Sequence, residues 1–130
     1  MFNLQVSPRF GDIDALGHVN NTVLPIWFEM ARKPLMRIFD PELTLENFPL
    51  IMAHNDFDYL SPIYFKFDVE IKTYISKIGT KSFTVYHEAW QEGKLCTKGN
   101  CVIVYIINGQ TTPLPDHLRK ILSEHMLNKE

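Results

Sequence analysis

The thirteen residues Arg9-Phe10-Gly11-Asp12-Ile13-Asp14-Ala15-Leu16-Gly17-His18-Val19-Asn20-Asn21 gather two carboxylates, an imidazole and two amides in one short stretch. An aspartate of ordinary acidity, with a pKa of about 4, is ionised at neutral pH and can take a proton from water or attack an electrophile itself. A helix start presents unpaired N–H groups and the positive end of the peptide dipoles, so negative charge developing on an oxygen is stabilised there without a cation. Each residue also has a plainer use. Asp14 suits an Asx-turn, Asp12 suits a bond to loop backbone or to Arg9, and a lone His18 is often structural. Asn20 and Asn21 are good helix-capping types, and their side chains serve most simply as caps.

What positions this stretch is legible on either side of it. Phe2, Leu4, Val6 and Phe10 alternate with Asn3, Gln5, Ser7 and Arg9, the period-two pattern of a half-buried strand, with Pro8 at an edge or bulge. Beyond the Gly/Asp/Asn-rich loop the period changes. Leu24, Trp27, Phe28, Ala31, Leu35 and Ile38 recur at three- and four-residue spacings, one face of an amphipathic helix. Asn21 or Thr22 can cap it, and Pro25 fits a first turn, where its missing N–H has no partner to lose. Pro34 is an interior proline, so a kink or an early end is expected near it. Glu29 is expected to pair with Arg32 or Lys33 on the helix surface.

From about residue 50 the pattern is strand-like. Ile63, Phe65, Phe67, Val69 and Ile71 alternate with polar neighbours, as do Phe83, Val85, His87 and Ala89. Gln91-Glu92-Gly93-Lys94 supplies hairpin chemistry, Leu95–Ile107 returns as a long strand, and Asn108-Gly109 closes it. Pro113–Leu127 reads as a short terminal helix. One strand, one long helix, four strands and a short helix predict an α+β fold with a mainly antiparallel sheet covering the helix.

Composition bounds the function. The 130 residues fit a single domain, 1–130, and 45% apolar content excludes a disordered chain. Thirteen Lys and Arg against fifteen Asp and Glu leave a formal net charge of −2, which excludes a basic nucleic-acid footprint and gives no reason for a membrane partner. No apolar run approaches the roughly 20 residues of a membrane helix, and the first ten residues lack a secretory layout. A cytoplasmic protein is expected. Cys96 and Cys101, five apart on one strand, are expected on opposite sheet faces as free thiols. His54, His87, His117 and His125 show no metal-ligand spacing, and His87 falls on an apolar strand face as a buried, satisfied side chain. There is no phosphate-binding glycine loop and no Gly-x-Ser-x-Gly elbow.

The pattern Arg9-Phe10-x-Asp12-x-Asp14-x-x-Gly17-His18-Val19-Asn20-Asn21, then Trp27-Phe28-Glu29-x-Ala31-Arg32, Tyr59-Leu60-Ser61-Pro62, Ile78-Gly79-Thr80-Lys81-Ser82-Phe83 and Pro113-x-Pro115, resembles the hotdog-fold acyl-CoA thioesterases. The similar branch is the one typified by 4-hydroxybenzoyl-CoA thioesterase. The resemblance implies a long helix wrapped by a curved antiparallel sheet and hydrolysis of an acyl-CoA thioester without metal or organic cofactor. It also implies a homo-oligomer, a dimer or a dimer of dimers, with active sites at the subunit boundary.

By the same resemblance Asp14 is the catalytic carboxylate, as general base or nucleophile, and the main-chain N–H of Asn21 polarises the carbonyl. His18 is placed beside the thioester, with Gly17 and Asn20 in the substrate loop. Thr80, Lys81 and Ser82 match the segment near the nucleotide, with Lys98 a weaker candidate. Leu24, Trp27, Phe28 and Phe57 are candidates for the acyl wall. Leu24 stands where relatives commonly carry Tyr, which points to an altered pocket. A non-catalytic acyl-thioester binding protein and a hydroxyacyl-thioester dehydratase are the alternative readings on the same fold.

Overall fold

In the computed structural model, which describes residues 1–127, strand β1 (Phe2–Val6) leads through the loop into helices α1 (Leu24–Ala31) and α2 (Lys33–Phe39). Strands β2 (Leu50–Tyr59), β3 (Val69–Ile78), β4 (Ser82–Gln91) and β5 (Lys94–Ile107) follow, then the short β6 (Gln110–Thr111) and helix α3 (Asp116–Ser123). The sheet order is β1-β3-β4-β5-β2, with β6 on β5 and every pairing antiparallel. This is the expected α+β architecture, a curled sheet around the helices.

The expected long helix is interrupted at Arg32. Pro34 has no N–H to give the carbonyl four residues back, and its ring crowds that turn. The chain therefore restarts as α2 with Arg32 between the two helices and Pro34 in the first turn of the second. The first helix is entered through a 3₁₀ turn, Asn21–Val23, whose cap is Asn20 rather than Asn21 or Thr22. The Asn20 side chain accepts the Thr22 N–H at 2.9 Å.

The inward faces of the strands carry the alternation read from the sequence. Val69, Ile71, Phe83, Val85 and Ala89 are all buried against the helices, where Leu24, Trp27, Phe28, Ala31 and Leu35 meet them, and β3 runs on beyond the segment read, burying Ile75 as well. Two periodic readings fail. The first strand stops at Val6, and Phe10 instead opens a 3₁₀ turn with its side chain 86% exposed. Ile63 to Phe67 precede β3 as irregular chain, with Phe65 and Phe67 exposed. Alternation over five residues does not make a strand where no neighbour is present to accept the ladder.

The cysteine expectation is corrected too. Ala89 pairs with Thr97 and Trp90 with Leu95, so Cys96 is an extra residue in β5. A bulge of one residue reverses the parity of everything beyond it. Cys96 and Cys101 are therefore both buried in the core, as free thiols.

His87 sits in that core at 1% exposure. Arg32, the inward residue at the helix joint, donates from Nη1 to His87 Nε2 at 3.2 Å. Nε2 must then be the acceptor, so the ring proton is on Nδ1, which donates to Thr73 Oγ1 at 2.9 Å. Arg32 thus turns inward at 4% exposure instead of pairing with Glu29 on the surface. The Phe28 ring stacks on both His87 and Phe57, with centroids 4.7 and 5.6 Å away.

This packing has two measurable consequences. Burial, and then the Arg32 charge, lower the His87 pKa from 6.5 to about 3. The unfolded chain takes up that proton near the ordinary value while the folded chain does not, so stability falls as pH drops from 6.5 toward 3. Urea midpoints at pH 7 and pH 5 should differ in that direction, and His87→Gln should remove most of the difference. At Gly99 a methyl group would run into the Asp56 carbonyl oxygen, because β2 closes over β5 there. Gly99→Ala should cost about 2 kcal/mol or more, measured by denaturation.

Candidate active site

The loop from Arg9 to Asn21 is fixed by Asp12, whose side chain is 1% exposed. Its Oδ1 accepts Arg9 Nη2 at 2.8 Å and Nε at 3.2 Å, while Oδ2 accepts the Arg9 backbone N–H at 2.8 Å. The Arg9 guanidinium holds the Asp12 carboxyl below the usual carboxylate range. The Asp12 carbonyl accepts the Asn20 N–H at 2.8 Å, and Ile13 bridges Val19, so the loop closes on itself before the helix begins. Asp12 is thereby committed to structure, as its plainer reading expected.

Within that frame Asp14 heads a turn that ends at Gly17, whose N–H donates to the Asp14 carbonyl at 3.0 Å. Gly17 has φ of 89°, a conformation that a side chain would strain. The Asp14 carboxylate accepts the Leu16 N–H on Oδ1 at 2.9 Å, an Asx-turn contact, and Asn20 Nδ2 stands 3.5 Å from Oδ2. The plain and the chemical readings of Asp14 are thus not exclusive. The residue is half-buried, its carboxylate held closely on Oδ1 and by a long bond on Oδ2, and it lines a cavity.

That cavity, of about 360 Å³, is lined by Asp14, Leu16, His18, Val19, Asn21 and Leu24 on one side. Tyr59, Leu60, Ser61, Pro62, Ile63 and Thr97 line the other. Asn21 is the first residue of the 3₁₀ turn, where an N–H has no acceptor inside the helix. Tyr59 Oη donates to the Asn21 carbonyl at 3.0 Å and ties β2 to the helix start. Burial pushes the Tyr59 phenol up, which keeps it a donor. The carbonyl of the bulged Cys96 accepts the N–H groups of Leu60 and Ser61 at 2.8 and 3.1 Å, so the bulge holds the far wall. His18 meets Tyr64 edge-on at 6.4 Å between ring centroids.

Of the residues expected at the site, Asp14, His18, Asn21 and Leu24 line this one cavity, and Asn20 and Gly17 shape it through their bonds. Trp27 is buried in the core beside another hollow. Phe57 stacks on Phe28 and Tyr59 without lining the cavity. Thr80, Lys81 and Ser82 lie at the β3–β4 turn, packed by backbone bonds to Tyr105 and Leu114 and away from Asp14. Tyr59 and Thr97 were not foreseen as site residues. Tyr59 sits in the Tyr59-Leu60-Ser61-Pro62 motif that offered a signal; Thr97 lies on the inward parity of Cys101, Ile103 and Tyr105, but as a polar residue at the strand's start it did not stand out. Among the described residues no group of three or more His, Cys, Asp or Glu is placed to hold a metal ion.

The family model described as the thioesterase-like superfamily matches residues 8–122. Among solved structures, a predicted thioesterase of Bacillus stearothermophilus shares 34% identity at a TM-score of 0.94, over 99% of this chain and 98% of that one. A thioesterase of Thermus thermophilus complexed with coenzyme A and Zn shares 32% at 0.83, over 92% and 94%. The uncharacterized protein YsmA of Bacillus subtilis is 29% identical over 105 residues, 78% of this chain and 70% of the relative. The fold is the hotdog arrangement of these thioesterases, and with its motif loop, its wrapped helices and a family match across most of its length, the chain belongs to the thioesterase-like superfamily.

Proposed function

We propose that this chain hydrolyses acyl-CoA thioesters, with the Asp14 carboxylate as base or nucleophile and the Asn21 N–H as the donor to the carbonyl oxygen. Relatives named as thioesterases support the general activity. The observation that carries the residue assignment is that a half-buried aspartate and the first amide of a helix entry share one cavity. As base, Asp14 takes a proton from water, the resulting hydroxide adds to the carbonyl carbon, the C–S bond breaks, and the leaving thiolate receives the proton. As nucleophile, the carboxylate forms an anhydride as the thiolate leaves, and water then opens it. Either way the negative charge that develops on the carbonyl oxygen falls where helix-start amides stabilise it. His18 lines the same wall and contacts the substrate beside the thioester.

The coenzyme A complex of the Thermus relative supports CoA as the carrier. In one chain Thr80, Lys81 and Ser82 lie too far round the sheet to meet a substrate at Asp14, and a second copy brings its own set. The free edge of β2 is where that copy fits. Ten residues of edge strand are unpaired on one side among the described residues, with Ile51 54% and Tyr59 49% exposed. Such an edge is a template for a further strand. Tyr59 and Leu60 line the cavity at the end of β2, so a copy paired there completes its wall.

Asp14→Asn should lower kcat by roughly 10²- to 10⁴-fold with an unchanged melting temperature, read by thiol release over a panel of acyl-CoAs. Undiminished turnover would refute the assignment. A single turnover in ¹⁸O-water labels Asp14 only on the anhydride route. Ile51→Lys should shift the chain toward monomer in sedimentation and lose turnover in step; a fully active monomer would count against the subunit-boundary site.

A further inference from the structure

Thr97 of β5 is 1% exposed, and its hydroxyl makes no hydrogen bond among the described residues. The other buried polar side chains are all bonded: Asp12 to Arg9, Arg32 and Thr73 to His87, and Gln91 to the Tyr64 and Phe67 carbonyls. Every fully enclosed side-chain nitrogen or oxygen among the described residues has a partner. The Thr97 hydroxyl has none, so the narrow surface it keeps belongs to the Asp14 cavity that it lines. Burying a hydroxyl unpaired is costly, and a group that fills the cavity and bonds it would recover that cost.

The cavity is graded from mouth to floor. Leu16, Asn21, Tyr59 and Leu60 are exposed at its mouth, and Asp14, His18 and Ser61 stand half-buried behind them. Val19, Leu24, Ile63 and Thr97 are buried and form the floor. Coenzyme A is far too large for about 360 Å³, so a thioester held at Asp14 turns its acyl group to the floor and its carrier outward. There Val19, Leu24 and Ile63 offer hydrocarbon, and Thr97 is the one polar side chain. Thr97 pairs with Tyr59 across the ladder, so both side chains share the inward face. The Tyr59 hydroxyl in turn bonds the Asn21 carbonyl at 3.0 Å, so Thr97 stands at the foot of the side chain whose tip holds the helix start.

No lysine or arginine lines this cavity, whereas the Asp14 carboxylate does. A second carboxylate on the acyl group would be repelled there. A neutral oxygen instead meets a hydroxyl able to donate one bond and accept two. Taken as compact, the cavity is roughly 7 Å across, or four to five carbon–carbon bonds of about 1.5 Å. The oxygen therefore belongs on one of the first carbons past the carbonyl. The smaller cavity beside Arg32, of about 160 Å³ between the helix joint and the start of β2, makes no such demand, because Arg32 is bonded to His87.

We propose that the Thr97 hydroxyl receives a neutral oxygen carried by the acyl group, so that the preferred thioesters are short hydroxyacyl or oxoacyl ones. The proposal rests on the thioesterase reading above and narrows its substrate class.

The test compares thiol release from butanoyl-CoA and from its 2-hydroxy, 3-hydroxy and 3-oxo counterparts. At least one oxygenated thioester should exceed butanoyl-CoA by about tenfold or more in kcat/KM, the scale of a hydrogen bond otherwise left unmade. Thr97→Val keeps the shape, removes the hydroxyl and should erase that advantage, whereas Thr97→Ser should retain most of it. An advantage that survives in Thr97→Val reflects the intrinsic reactivity of the thioester and overturns the proposal. Thr97→Val should also raise the melting temperature of the free protein, because an unpaired buried oxygen is gone. A fall would mark a hydroxyl with a structural partner and overturns the proposal as well. So does an equal loss of kcat on all four thioesters, the mark of a hydroxyl that holds the attacking water. The thioethers S-(3-hydroxybutyl)-CoA and S-butyl-CoA, which cannot be hydrolysed, supply a binding comparison by calorimetry, and they decide even if Thr97→Val does not fold. If no thioester is cleaved while the hydroxy thioether binds the tighter, the pocket stands and the thioesterase reading falls. Cleavage of all four thioesters at equal kcat/KM leaves hydrolysis standing and overturns the pocket.

Discussion

The candidate site depends on the buried carboxylate of Asp12. A loop rich in Gly, Asp and Asn has no reason of its own to hold one shape, because its residues trade backbone bonds with water at little cost. Asp12 removes that freedom by accepting three N–H groups of Arg9 while its own carbonyl takes the Asn20 N–H. Charge-assisted bonds of this kind are stronger than neutral ones, and burial on the Asp12 side makes an alternative conformation expensive. The consequence is geometric. With residues 12 and 20 pinned together, Asp14 and Asn21 can only lie on the two flanks of one closed loop, facing the same cavity.

The helix that leaves this loop is used unevenly along its length. At its start the main-chain amides offer partial positive charge, which under the proposed reaction would face the oxygen where negative charge develops. At Arg32 a whole charge lies inside, bonded to His87, at the break that Pro34 imposes. The proline thus does more than end a helix. It sets a turn at which the side chain following Ala31 points to His87 rather than to solvent.

The sequence was most readable where local chemistry and tertiary demand agree. The apolar faces of α1, β3 and β4 show their periods plainly because each packs against a partner along its whole length. The helix break was visible in Pro34, and the Asp12–Arg9 contact followed from their spacing. What was hidden depends on partners distant in the chain. The bulge at Cys96 is an event between β4 and β5, and no property of residue 96 announces it, yet it turns Cys96 into the core beside Thr97 and supplies the carbonyl that holds Leu60 and Ser61. Gly99 likewise looks like a weak point in a strand until β2 is seen crossing over it. Ile63 to Phe67 alternate without pairing, and Thr80 to Ser82 match a motif whose place is set by how strands stack around the sheet.

These hidden features converge on β2, which borders both cavities. Its end supplies Tyr59 to the Asp14 side, with Leu60 just beyond it, and its start supplies Leu50 to the Arg32 side. Its outer edge meanwhile stays unpaired among the described residues. A strand that is anchored on one side only can accept a neighbour without disturbing the core, because the ladder to β5 already fixes its register. The bulge between Met52 and His54 adds local twist to that edge. The strand lends Tyr59 to the Asp14 cavity and Leu50, Ile51 and Met52 to the Arg32 cavity, so a second strand added along its free edge would lie beside both.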